Sequence, residues 1–362
     1  MTTTARRRAA LIAFAAFGFA TSAFAEDKNV KIGVLNDMSS LYADIGGPNS
    51  VAAAKMAVDD SGLSAKGWKI EVLSGDHQNK PDIGLNIARQ WIDNDKVDVI
   101  ADTPNSGVAL AVNNIVKEKN AILLNSGAAT ADLTGKACTP NTISYTYDTY
   151  MLAKSTGGAT VKSGGDSWYF ITADYAFGHQ LQNDTTDMIK AAGGKVMGSS
   201  AYPFPGTTDF SSYLVQAQAS GAKVIGLCNA GADTVNSIKQ AHEFGITQAL
   251  AAMLMFVTDV NALGLDVAQG LHLSETFYWD LNDKTRAFTK RFVPRSPNNW
   301  PNMIHAGNYS GALHFLKAVA DMGVPAATPP TPSSRRQNSV SSKAGRSSQL
   351  CCSSSTTCTR WG

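Results

Sequence analysis

The sequence has no apolar run of the roughly 20 residues that a membrane-spanning helix needs. The longest candidate, "AALIAFAAFGFA", is shorter and lies near the N-terminus. Other absences narrow the chemistry. No G-x-x-x-x-G-K-[ST] occurs, so "VLNDMSSLYADIGG" (34–47), an apolar run breaking into serines and a glycine pair, is no phosphate-cradling P-loop. No G-x-G-x-x-G follows the first apolar run, and neither G-x-S-x-G nor H-E-x-x-H is present. The six histidines (His77, His179, His242, His272, His305 and His314) show no metal-ligand spacing. Of the five cysteines, Cys351, Cys352 and Cys358 lack the second half of any zinc pattern. His242-Glu243 reads as a solvated pair and His314 as packing or surface. Together these gaps remove the usual reasons to propose an enzyme, a cofactor or a bound metal.

A basic surface is missing too. Residues 26–324 hold 23 Lys and Arg against 29 Asp and Glu, a balance of −6, so no basic stripe points to nucleic acid. The overall charge of +2 arises at the two ends. Arg6 to Arg8, the apolar run and the tripeptide Ala23-Phe24-Ala25 have the order of a secretory signal peptide, expected over 1–25. No Cys follows that would mark a lipoprotein. An exported chain of this length has room for two ordinary domains.

From Val30 onward two patterns alternate. Short apolar runs, "VKIGVLN", "WKIEVLSGD", "VDVIAD" and "AILLNSG", read as fully buried strands. Between them "SVAAAKMAVDDSG", "IGLNIARQWIDND" and "VALAVNNIVKEKN" have helical spacing; in the second, Ile83, Ile87, Trp91 and Ile92 share a face. The pattern pauses near "ACTPNTISYTYDTY" (137–150). It then resumes with "SWYFITAD", "KVMGSSAYP", "AKVIGLCNAG" and "ALAAMLMF" as strands. Strand–helix alternation predicts parallel sheets covered by helices on both faces, and two rounds of it predict two similar α/β lobes. An Arg/Lys-rich helix, "DKTRAFTKRF", and an amphipathic one, "NYSGALHFLKAVADMG", follow.

In such sheets ligands bind beyond the carboxyl ends of the strands. The loops there read "NDMSSLYADIGG", "DTPNSGVA" and "NSGAATADL" in the first round, then "TADYAFG", "NAGADT" and "FVTD" in the second. Their tips are small, hydroxyl, amide or aromatic residues. Small residues let backbone N–H groups approach an anion at a helix N-terminus, and aromatic rings supply apolar walls. Any one Ser or Asn taken alone is better explained by helix capping. Six such loops together describe a polar, aromatic-edged cleft with neither a nucleophile nor an acid–base pair.

Five stretches carry a family resemblance over about residues 28–324. They are "KIGVLNDMSSLYADIGG", "NSGAATADLTGKACTPNT", "TADYAFG", "SSYLVQAQASGAKVIGLCNAGADTVNSIKQA" and "LSETFYWDLNDKTRAFTKRF". The chain resembles the periplasmic solute-binding proteins of ABC importers, of the leucine/isoleucine/valine-binding type and near the branch for aromatic acids. The resemblance implies two Rossmann-like lobes joined by a three-segment hinge that close on a ligand like a flytrap. The first lobe would span 26–145 plus 276–324 and the second 146–275. It places the carboxylate site on Asn105, Ser106, Ser126, Ala128 and Ala129. Tyr175 would close from the second lobe, with Tyr42 at the rim and Asn229, Ala230 and Phe256 completing the cleft. Where amino-acid binders carry a Glu for the ammonium group this chain has Phe256 and Val257, with Asp259 off register, which favours an acid such as a hydroxybenzoate or phenylpropenoate. The implied protein is a periplasmic monomer without cofactor, metal or nucleic acid, handing a small organic acid to permease subunits in the inner membrane. A branched-chain amino acid binder and a sensory ligand-binding module are the alternatives.

Residues 325–362 break the pattern, with ten Ser, four Pro, three Cys and no acidic residue. This composition is expected of a disordered or frame-shifted tail standing where the family completes its second lobe. The resemblance also implies a partner for Cys138 near the family's usual C-terminus, so here Cys138 is expected to be single and Cys228 to be a small buried hydrophobe.

Overall fold

The computed structural model describes residues 28–296 and 300–323. The expected leader and tail lie outside the described residues. Two parallel sheets form the frame. The first has the order β2-β1-β3-β4-β5, with β1 Asn29–Asn36, β2 Lys69–Asp76, β3 Val99–Asp102, β4 Leu123–Asn125 and β5 Thr142–Ser144. The second has the order β7-β6-β8-β9, with β6 Ser167–Ala173, β7 Lys195–Tyr202, β8 Val224–Cys228 and β9 Ala249–Ala252. The strand order reverses between β1 and β3 in one sheet and between β6 and β8 in the other. Loops leaving such a switch point diverge and open a crevice.

Hydrophobic content decides which strands sit centrally. β3, β6 and β8 are buried along their whole length. β2 and β7, expected to be fully buried, are edge strands in which exposed and half-buried residues largely alternate. An edge strand has one neighbour and less cover, so its apolar residues need face only one way. The expected pause at 137–150 contains β5, whose three residues were too few for periodicity to register. In "ALAAMLMF" only the first four residues pair; Met253 to Phe256 leave the sheet yet remain buried.

After the second sheet the chain returns to the first. Helix Met303–Met322 puts Phe315, Leu316 and Val319 into one core with Val30 and Ile32 of β1, Val99 of β3 and Leu124 of β4. Each such side chain contributes about 1.5–3 kcal/mol by leaving water. Phe292, closing helix Asp283–Phe292, packs on Ala52, Ala53 and Met56 of helix Gly47–Ser61. Cys138, expected to be single, is disulfide-bonded. Cys228 is a buried free thiol inside β8, as its sequence context suggested.

Candidate functional site

The loop at 34–47 is shaped by two side chains at the end of β1. Asn36 Oδ1 accepts the Asp37 and Gly47 N–H groups at 2.8 and 2.9 Å, and its amide donates to Asp102 at 2.5 Å. The Asp37 carboxylate accepts from the N–H groups of Ser40 and Tyr42, each at 2.8 Å, and from the Asn79 amide at 2.5 Å. This curl turns Tyr42 inward. Expected at the rim, Tyr42 is instead only 2 % exposed. Its hydroxyl hydrogen-bonds the hydroxyl of Tyr175, which follows β6, and its ring lies 5.8 Å from that of Phe204.

The two lobes meet around this pair. Tyr175 stacks on Phe204 at 4.1 Å, and Tyr147, in the first crossing between sheets, meets Phe256 edge-on at 6.2 Å. Tyr42, Ala129, Tyr147, Ala230 and Phe256 share one buried apolar cluster, with Tyr175 and Phe204 packed against it. The Ala232 N–H donates to the Leu41 carbonyl at 3.1 Å, a backbone bond between loops of different sheets. Gly231 permits this approach. Its φ is +60°, and a Cβ would lie 2.5 Å from the Leu41 oxygen.

On the first sheet the loops after β3 and β4 are joined. Asp102 and Thr103 both take left-handed backbone (φ 73° and 69°), turning the chain sharply into the helix Ser106–Lys119. A Cβ on Gly127 would fall 2.6 Å from the Pro104 Cα, so the opposite loop can come this close only with glycine. Asn105 caps the helix through the Val108 N–H at 3.0 Å. Ser106 Oγ accepts the Thr130 N–H at 3.2 Å. Ser126 donates to Asp102 at 3.1 Å, and Ala128 is bound at both its N–H and its carbonyl by the Asn125 side chain. Ala129 is 2 % exposed, and among the described residues its N–H has no acceptor. Such a donor costs about 1–3 kcal/mol unless something accepts from it. With the positive end of a 14-residue helix beside it, this corner suits an anion.

The structure therefore gathers Tyr42, Ala129, Tyr175, Ala230 and Phe256 in one cluster and sets Ser106 at the neighbouring helix start. Asn105, Ser126 and Ala128 hold the first-lobe loops in shape. Asn229 accepts from Thr234 at 2.7 Å and donates to Ser237 at 3.1 Å, fixing the start of helix Ala232–Glu243. Sequence reasoning missed Thr130, Tyr147 and Phe204. Phe204 stands just after a recognised strand, β7, and that position was its available signal. Asp259 is spent on the Phe256 N–H at 3.0 Å. Glu275, from the returning chain, accepts the Val257 N–H at 2.6 Å, so a carboxyl does stand close to the Phe256 loop.

Burial holds five carboxyls above their ordinary range among the described residues: Asp102, Asp259 and Glu275 at about 7, Asp233 at about 6, and Asp184. Each binds its proton more tightly folded than unfolded. The stability they contribute is complete below about pH 4 and is lost as pH rises through 6 to 7. His77 and His305, pushed down to about 4 by burial, act oppositely, but their contribution is lost only as pH falls below 6.5. The melting temperature is therefore expected to fall between pH 6.5 and pH 8 in a calorimetric series. A flat or rising profile would show that these carboxyls ionise normally.

Residues 29–336 match the periplasmic binding protein family, and the chain belongs to that family. A periplasmic binding protein from Burkholderia mallei, solved by crystallography, is 45% identical with a TM-score of 0.82, covering 87% of this chain and 82% of that one. The Leu/Ile/Val-binding protein homolog 4 of Brucella abortus is 23% identical over 322 residues, 86% of this chain and 77% of its own. An ABC transporter solute-binding protein from R. palustris, solved in complex with benzoate, shares the fold at 20% identity. Its TM-score is 0.78, with 88% of this chain and 85% of that one covered. The family and the fold are those of substrate-binding transport proteins rather than enzymes.

Proposed function

We propose that the protein is the extracytoplasmic substrate-binding component of an ABC importer. It captures a small carboxylate with an aromatic or apolar body by lobe closure and delivers it to inner-membrane permease subunits. The observation that carries this reading is the pairing of an aromatic wall with an anion corner. Tyr42, Tyr147, Tyr175, Phe204 and Phe256 form the wall, and Ser106 and the Ala129 N–H stand at a helix start. The closing units are 26–145 with 276–324 and 146–275, and residues 1–25 direct export to the periplasm. The benzoate bound by the R. palustris protein on the same fold supports an aromatic acid.

The name of the Brucella relative supports leucine, isoleucine or valine as the second reading. An ammonium group buried without a counter-charge costs several kcal/mol. Asp259 is only 3 % exposed and is turned to the Phe256 N–H, which favours a cleft ligand carrying no ammonium group. Calorimetric titration with 4-hydroxybenzoate, p-coumarate and leucine tests the choice. The aromatic acids are expected to bind and leucine not to; tight binding of leucine alone would reverse the assignment. Ser106→Ala is expected to weaken the bound acid about tenfold, the worth of one hydrogen bond to a charged group.

A further inference from the structure

A cavity of about 460 Å³ lies between helix Val257–Leu263 and the returning segment 273–279, with Trp300 on one side. None of Tyr42, Ser106, Ala129 or Tyr175 lines it. Its size is that of a small-molecule pocket. Its walls are unusual for a surface hollow. Tyr278 and Trp300 are 43 % and 48 % exposed, and Trp279 bridges them, 5.7 Å from the Tyr278 ring and 4.5 Å from the Trp300 ring. Asn261 adds a polar group to the opposite wall.

The charge in this cavity is one-signed. Glu275 lines it half-buried, with one carboxylate oxygen on the Val257 N–H. None of the ion pairs among the described residues includes Glu275. The burial that raises its proton affinity would be offset by a cation in the cavity. Electron-rich ring faces attract the same partner when the cation lies within about 6 Å of a Trp or Tyr face. Above about pH 7, where Glu275 is ionised, a neutral apolar guest would leave its charge without a counter-ion, and an anion would be repelled by it.

We propose that this cavity is a second ligand site, for a small organic cation of the alkylammonium class. Glu275 supplies the counter-charge, and Tyr278, Trp279 and Trp300 supply the ring faces. The site is independent of the acid bound in the cleft. It ties the second-lobe helix to the chain returning toward the first sheet, so an occupant would brace that crossing.

Choline and its neutral carbon isostere, dimethylbutanol, distinguish a cation site from an apolar hollow in the full chain. Tryptophan fluorescence and calorimetry read binding. Choline is expected to saturate, with the isostere at least about tenfold weaker. Glu275→Gln keeps an acceptor for the Val257 N–H and removes only the charge. Trp300→Ala truncates a half-exposed ring outside the core, and thermal melts confirm that both variants fold. Each is expected to weaken choline about five- to tenfold, near 1 kcal/mol. Saturating 4-hydroxybenzoate is expected to leave choline affinity unchanged. The proposal is overturned by an absence of saturable choline binding, by equal binding of the isostere, by full affinity in either variant, or by competition with the acid.

Discussion

Gly231→Ala is expected to weaken binding of the cleft ligand by about 10- to 100-fold. The added Cβ would lie 2.5 Å from the Leu41 carbonyl oxygen and 3.0 Å from the Tyr42 ring. The first of these neighbours is backbone, which cannot rotate aside. The lobes would have to part, breaking the 3.1 Å bond from Ala232 to Leu41 and loosening the Tyr42–Tyr175 contact. Overpacking of this kind costs roughly 1–3 kcal/mol, and each 1.4 kcal/mol is tenfold in affinity. The substitution also strains the backbone, because φ is +60° and ψ −135° at this position. Gly193→Ala separates the two effects. Gly193 has φ +82° and no neighbour within 4 Å, so alanine there meets the strain of a positive φ without a clash and away from the cleft. Both variants are expected to lose stability, and only Gly231→Ala to lose affinity in calorimetry. Equal affinities would show that the Leu41–Gly231 approach plays no part in the bound state.

The parallel sheets were readable because their central strands are continuous apolar runs, and "SWYFITA" and "VIGLC" needed no further context. Strand ends then pointed to the loops, and the family resemblance singled out Tyr42, Ala129, Tyr175, Ala230 and Phe256 within them. What stayed hidden depends on partners distant in sequence. Asp37 curls the 34–47 loop by accepting from Ser40 and Tyr42 within it, but the Asn79 amide that also donates to it lies 42 residues away and leaves no local mark. Tyr147 and Glu275 lie on chain passing between the sheets, outside the strand-end rule. The hydrogen-bonding of Asn105 and Asn229 to their own helix starts shows why a polar residue at a loop tip is weak evidence of ligand contact. The burial of Tyr42 follows from closure of one lobe on the other, which periodicity within one segment does not encode.

Trp91→Ala is expected to destabilise the first lobe by about 3–5 kcal/mol. The helical spacing that put Ile87, Trp91 and Ile92 on one face is interrupted, because the helix Pro81–Gln90 gives way to a wider turn over Trp91–Asp95. All three nevertheless share a core with Leu35, Val97 and Ile100. The indole lies across two glycines of adjacent strands: a Cβ on Gly33 of β1 would come 2.5 Å from its ring, and one on Gly75 of β2 would come 2.9 Å from it. These glycines are therefore the floor on which the ring rests, and the β1–β2 surface is flat because neither carries a side chain. Coupling follows from that geometry. Gly33→Ala alone forces a methyl into the ring and is expected to cost about 1–3 kcal/mol. In the Trp91→Ala background the same methyl enters space the indole has vacated, and its cost is expected to vanish or change sign. Thermal or denaturant unfolding of the two single variants and the double variant gives a coupling energy of at least about 1 kcal/mol. Strict additivity would mean that Trp91 does not press on Gly33, and the packing described for β1 and β2 would have to be abandoned.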